Sequence, residues 1–190
     1  MKKIIIFFSI LCLSIGSYAQ LDLSKFLNDV PELEVHFKLT YSELDTMDLS
    51  KCLTISEGEI KSIMGDFRAI KLQVEDSGKY YLFNKLSLDS TIGFLLITEW
   101  GAGVTGLRSR DLSIFVEDKS DSHEEYYYFF NTSLVNVLRY DNIVYVKSVK
   151  VNSIEDIEVT SGYLKDDSGM KFHESEVKNF EYRDGIFTYR

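Results

Sequence analysis

Phe180-Glu-Tyr-Arg-Asp-Gly-Ile-Phe-Thr-Tyr189 is the stretch on which the fold turns. Asp184-Gly185 is a dipeptide that accepts the positive φ angles of a type I′ turn, so a two-residue loop joins two strands here. That loop sets Arg183 opposite Ile186, Tyr182 opposite Phe187 and Phe180 opposite Tyr189. The two aromatic pairs share one face of the ribbon, each contributing roughly 0.2–1 kcal/mol. The C-terminal eleven residues therefore read as an ordered sheet edge.

Upstream of it, strand signals separated by turn residues continue back to Phe67. Ile157 to Leu164 is one strand. Val135 to Arg139 and Ile143 to Val151 flank Tyr140-Asp-Asn142 as a hairpin, and Asp111 to Glu117 and Glu125 to Phe130 precede them. Ile92 to Thr98 (I-G-F-L-L-I-T) is apolar without alternation, the pattern of a central strand covered on both faces. Phe67 to Glu75 and Lys79 to Leu86 flank Asp76-Ser-Gly78, a second hairpin signal.

The N-terminal part is different. Leu21, Leu23, Phe26, Leu27 and Val30 recur at helical spacing up to Pro31. Leu33, Val35, Phe37 and Leu39 then alternate with Glu32, Glu34, His36 and Lys38, which predicts a half-buried strand. Residues 42–52 follow no single period. Ser56 to Met64 reads as a short helix with Ser56 as cap and Glu59 at the capping-box position. Residues 20–190 hold no repeat, linker or composition break, so they form one domain. Its class is mainly β: an antiparallel sheet system, as a sandwich, barrel or open meander, with one or two short N-terminal helices.

Residues 1–19 have the layout of a secretory signal peptide. Lys2 and Lys3 supply the positive end, Ile4 to Leu13 an apolar run, and Ser17-Tyr-Ala19 the small residues before cleavage ahead of Gln20. The run is about half the ~20 residues that a bilayer span needs, which disfavours a membrane anchor. Cys12 lies mid-run behind Ile10 and Leu11, which disfavours lipidation. The expected destination is the periplasm or the cell exterior, with no transmembrane segment after cleavage.

Loss of Lys2 and Lys3 would shift the formal charge from −9 to −11. Such a chain repels phosphate backbones over a Debye length of ~8–10 Å, so nucleic acid is not an expected partner. Of the two cysteines only Cys52 would survive, which leaves no internal disulfide. At 45% hydrophobic, with one proline, the chain has neither a collagen-like nor a disordered composition.

Several motifs suggest chemistry. Gly101-Ala-Gly103-Val-Thr-Gly106 matches the dinucleotide pattern, but a strand signal from Asp111 follows where a helix is required. Its expected role is a strand-to-strand loop, with Trp100, the sole tryptophan, at its base beside Arg108 and Arg110. A large amphipathic ring beside two guanidiniums can make a recognition patch; the competing reading makes Trp100 a core plug. His36, His123 and His173 lack zinc-site spacing, with His123 and His173 reading as parts of polar loops. The acidic run from Glu117 to Glu125 lacks calcium-loop geometry. No Gly-x-Ser-x-Gly elbow occurs, and no carboxylate pair stands out for glycoside hydrolysis. Tyr126-Tyr-Tyr-Phe-Phe130 suits sheet packing and offers Tyr126 and Tyr128 for stacking on sugar rings. No cofactor or metal is implied.

Ile55-Ser-Glu-Gly-Glu-Ile60, Phe67-Arg-Ala-Ile-Lys71, Ile92 to Thr98 and Tyr182-Arg-Asp-Gly-Ile186 give residues 55–190 a layout that resembles small exported β-rich proteins of Gram-negative bacteria. The resemblance implies a β-rich fold and carries over no catalytic residue. The expected function is a non-enzymatic exported module that binds a protein or glycan partner, through Trp100, Arg108 and Arg110, then Tyr126 and Tyr128. The alternatives are a periplasmic immunity-type inhibitor of a basic toxin, suggested by the negative charge, and an exported hydrolase.

Overall fold

The structure is a computed structural model. It describes residues 27–33, 36–60, 78–88, 91–101, 109–117, 129–140, 143–153, 155–165, 171–183 and 186–189. The strands are β1 (Lys38–Leu39), β2 (Leu53–Ile55), β3 (Lys79–Leu88), β4 (Thr91–Trp100), β5 (Ser109–Glu117), β6 (Phe129–Tyr140), β7 (Ile143–Ser153), β8 (Asp156–Lys165), β9 (Lys171–Arg183) and β10 (Ile186–Tyr189). β2 to β10 lie side by side in chain order as one antiparallel meander, with β1 added beside β7. Of the three sheet systems open at the outset, this is the open meander. Helical elements are short: α1 (Tyr41–Thr46), a 3-10 turn at Leu49–Lys51 and a turn of helix at 57–60.

The strand signals map well onto this sheet. β10 pairs with β9 through Ile186↔Arg183, Phe187↔Tyr182 and Tyr189↔Phe180, the register that the Asp-Gly loop requires. Tyr140↔Ile143 is the pair expected from the hairpin signal at Tyr140-Asp-Asn142. In β4, residues 93–99 are all buried. Leu95 and Ile97 join Leu44 of α1 and Leu112 and Ile114 of β5 in the main core cluster. On the other face Phe94 stacks on Phe115, ring centroids 5.2 Å apart and 9° from parallel. Each such side chain stabilises the fold by about 1.5–3 kcal/mol, which is why an unbroken apolar run occupies the middle of the sheet.

Residues 33–39 depart from the expected strand. Glu32 forms a parallel bridge with Lys85 on the outer edge of β3, where Leu33 N–H donates to Lys85 O and Lys85 N–H to Pro31 O. Lys38 and Leu39 instead pair with Lys150 and Val149 of β7, and Val151 N–H donates to Phe37 O. The chain must turn between two partners, and His36 does so at φ 71°, a left-handed conformation that ends any strand. The alternation still reports burial: Leu33, Phe37 and Leu39 all pack in the core. β6 pairs with β7 no further than Lys147, so β1 takes up the edge of β7 that β6 leaves free.

The capping box at Ser56 is present, with Glu59 N–H donating to Ser56 Oγ at 3.2 Å and Ser56 N–H to Glu59 Oε2 at 2.7 Å. Thr40 and Glu43 make the same reciprocal pair at the start of α1. These bonds hold both glutamates below the usual carboxylate range: in Glu43 the backbone bond of Thr40 leads, in Glu59 the hydroxyl of Ser56. The expected strand at 67–75, the start of the one at 125–130 and residues 1–19 lie outside the described residues. β3 itself pairs with β2 on one edge and β4 on the other.

Candidate functional site

The pleat sends alternate residues to opposite faces, so the registers of β4 to β9 assign every side chain to a row. One face meets α1. There Glu99, Arg110, Val137, Val146 and Gly162 lie opposite one another on successive strands. Arg110 is 8% exposed. Its Nε donates to Glu99 Oε2 at 2.8 Å, and one terminal nitrogen donates to the carbonyls of Leu44, Asp45 and Met47 at 2.8, 3.2 and 2.9 Å. These carbonyls close the C-terminal end of α1, where Leu44 O also accepts from Met47 N–H and the last turn has no basic residue of its own. Arg139 adds a 2.6 Å ion pair to Asp45.

The opposite face carries two rows of another kind. The first is polar and crosses six strands: Thr98, Asp111, Asn136, Lys147, Ser161 and Glu176. It begins buried at Thr98 and Asn136 and ends exposed at Glu176. Asp111 accepts hydrogen bonds from Ser113 Oγ and Ser133 Oγ, each at 2.5 Å. Asn136 Nδ2 donates to Ser133 Oγ at 3.4 Å, while its Oδ1 is buried without a partner. Tyr80, opposite Thr98, extends the row inward; its buried hydroxyl also lacks a partner, and burial pushes it up to about 12.

Burial also raises the Asp111 carboxyl above its ordinary value, and the two serine hydroxyls and the charge of Lys147 offset part of that. A carboxyl raised in the folded state holds its proton more tightly there than in the unfolded chain. It therefore favours folding below the unfolded value of 3.8 and opposes it as pH rises through the folded value. Asp111→Asn removes the ionisation. Its stability relative to the unchanged protein should be level below about pH 4 and climb as pH rises above it. Urea midpoints across the pH range measure this, and a difference that does not change with pH contradicts it.

The second row lies two residues further along β4 to β8, and three along β9 because of the register shift at Ser161/Gly162, and is largely aromatic. Trp100 pairs with Ser109 on one side; Leu138, Tyr145, Tyr163 and His173 continue across β6 to β9. Tyr145 is 48% exposed. Tyr163 and His173 stack at 5.0 Å, 13° from parallel. His173 thus belongs to a strand and not to the polar loop expected for it.

Among the expected site residues, Trp100 is half-buried at the end of β4, in register with this aromatic row. Arg110 is not beside it: Trp100 pairs with Ser109 and Glu99 with Arg110, so ring and guanidinium lie on opposite faces. The surface patch of Trp100 with Arg110 is corrected accordingly. Arg108, Tyr126 and Tyr128 lie outside the described residues. Gly101 is exposed, and the strands on either side of its loop, β4 and β5, are antiparallel neighbours. A dinucleotide motif requires a parallel crossover instead. Sequence reasoning missed Tyr145, Tyr163, His173, Asn136 and Lys147, which only the cross-strand registers bring together.

Among the described residues no three His, Cys, Asp or Glu side chains gather as a metal site, and no helix is long and apolar enough to cross a membrane. Cys52 is a half-buried free thiol, raised by burial and by Asp48. No protein-family model matches the chain, and neither a curated protein nor a solved structure matches it.

Proposed function

We propose that the protein is an exported, non-enzymatic module that binds a glycan along the face of β7–β9 opposite α1. The observation that supports this most is the aromatic row Tyr145–Tyr163–His173 lying beside the polar row Lys147–Ser161–Glu176 on the same face, two residues away in β7 and β8 and three in β9. Sugar rings present apolar faces edged with hydroxyls. Tyrosine and histidine rings offer the matching apolar surface with polar tips, and the neighbouring row offers donors and acceptors for the hydroxyls. Strand spacing of about 4.8 Å sets the rings at intervals along which an extended oligosaccharide can run. The leader-like residues 1–19 and the acidic charge support an exported chain that avoids anionic polymers.

The test is titration of the protein with neutral oligosaccharides of several linkages, read by calorimetry and by intrinsic fluorescence. Saturable binding is expected, and Tyr145→Ala should weaken it by at least about tenfold, as for an aromatic anchor. Because Tyr145 is half exposed, its thermal transition should barely move. Absence of binding across the panel, or full affinity in Tyr145→Ala, sinks the proposal.

A further inference from the structure

β6 and β7 pair as far as Asn136↔Lys147, and beyond that rung the two strands part, β7 taking β1 as its new neighbour. Asp111 of β5 stands opposite Asn136 on its other side. An amine, a carboxamide and a carboxyl thus share one row and one face across three adjacent strands. We infer that Lys147 and Asn136 join through an intramolecular isopeptide bond, with Asp111 moving the proton that the exchange requires. The inference does not depend on the glycan reading.

Each group is placed for the reaction. The Cβ atoms of directly opposed residues stand about 4.5–5.5 Å apart, and the flexible four-carbon stem of the half-buried Lys147 spans such a gap to Asn136 Cγ. Asn136 is 5% exposed, which keeps water, the competing nucleophile, from the carboxamide. The two halves of that carboxamide are held differently. Oδ1 has no partner, whereas Nδ2, the nitrogen that must leave, donates to Ser133 Oγ at 3.4 Å. Ser133 Oγ in turn donates to Asp111 Oδ1 at 2.5 Å. Asp111 is therefore linked to the leaving nitrogen through one hydroxyl, and its carboxyl also feels the charge of Lys147.

The step balances without a co-reactant, and nothing is oxidised or reduced. The Lys147 ammonium gives one proton to the Asp111 carboxylate, a transfer that burial of that carboxyl favours. The electron pair freed on Nζ attacks Asn136 Cγ, and the C=O electrons move onto Oδ1. As they return, the Cγ–Nδ2 bond breaks; the proton of Asp111 reaches Nδ2 through Ser133, and a second proton passes from Nζ to Asp111. Ammonia leaves, takes up that proton as ammonium and restores the carboxylate. What remains is a secondary amide between the two side chains. It fastens the sheet at its fork, in a protein whose one described cysteine, Cys52, is free.

Intact-mass spectrometry of the full chain, followed by tryptic mapping, tests this. The protein should weigh one ammonia less than its processed sequence. Trypsin cuts after Arg139, between the two residues, so the expected product is a branched peptide that joins the Asn136 and Lys147 segments and stays uncut after Lys147. Lys147→Met and Asn136→Ala should each carry their full mass. Asp111→Ala keeps both reacting groups and should form the bond at least about tenfold more slowly, measured as mass against time in freshly made protein. Ser133→Ala should slow it in the same direction, and serves where Asp111→Ala fails to fold. Full mass, with Lys147 cleaved normally, overturns the inference. So does ammonia lost elsewhere, as in cyclisation of Gln20 at a processed N-terminus, or loss of water, which would join Lys147 to Asp111 instead. Undiminished bond formation in a folded Asp111→Ala chain overturns the proton route.

Discussion

Arg110→Met should destabilise the protein by about 3–5 kcal/mol, the cost of removing one partner from a buried ion pair. The substitution takes the guanidinium from the buried Glu99 carboxylate and removes a donor from the carbonyls of Leu44, Asp45 and Met47. Total stabilities run about 5–15 kcal/mol, so the loss should be visible as a large fall in urea midpoint. Arg110→Lys should recover little, because an ammonium cannot fork between a carboxylate and three carbonyls. Adding Glu99→Leu to Arg110→Met should recover part of the loss by removing the buried carboxylate, while the carbonyls at the end of α1 still lack the Arg110 donor. A single-variant loss below about 1 kcal/mol would mean that the pair is no better than a surface contact.

Gly162→Ala should cost about 2–3 kcal/mol or more, towards the upper end of overpacking penalties. A Cβ on Gly162 would lie 2.4 Å from the Phe172 ring and 2.5 Å from the backbone oxygen of His173. The ring can swing away, at the cost of its stack on Tyr41 of α1, 6.2 Å between centroids. The carbonyl cannot move without parting β8 from β9, next to the register shift at Ser161/Gly162. Phe172→Ala in the same chain should therefore relieve only a fraction. Chemical denaturation of the two single variants and the pair separates the ring from the backbone contribution; a neutral Gly162→Ala would show that β8 and β9 are not so closely apposed.

How much of this could be read from residues alone differs by element. The Asp184-Gly185 turn fixes its own register, because few dipeptides accept that geometry, and β4 is evident because only a strand covered twice can be apolar throughout. β9 is not evident. Lys171 to Lys178 is polar on both sides and largely exposed where described, and its strand state comes from pairing with β8 and not from its own composition. Leu33 to Leu39 shows the reverse failure: its alternation records burial correctly, but the backbone serves two different edges, and no local pattern encodes a change of partner. The site is harder still. Whether Arg110 joins Trp100 or turns from it depends on a single residue of register between β4 and β5. The polar row depends on five registers in succession, three of them shifted by bulges, at Leu112/Ser113, Val151/Ser153 and Ser161/Gly162. Arg110 as a helix-end cap carries no local signal, since its acceptors lie more than sixty residues upstream.

The segment that joins β3 to β7 has a bearing on maturation. Tyr41 N–H is bonded to Ser148 Oγ, 107 residues downstream, beside the pairing of β1 with β7. In any chain that emerges N-terminus first, this is an early segment out and a late one to find its place. Leu33 and Phe37 can already pack on β3, through Lys85 and Phe83, but until β7 appears Leu39 has no strand partner. Completion of this part of the fold therefore waits on the second half of the chain.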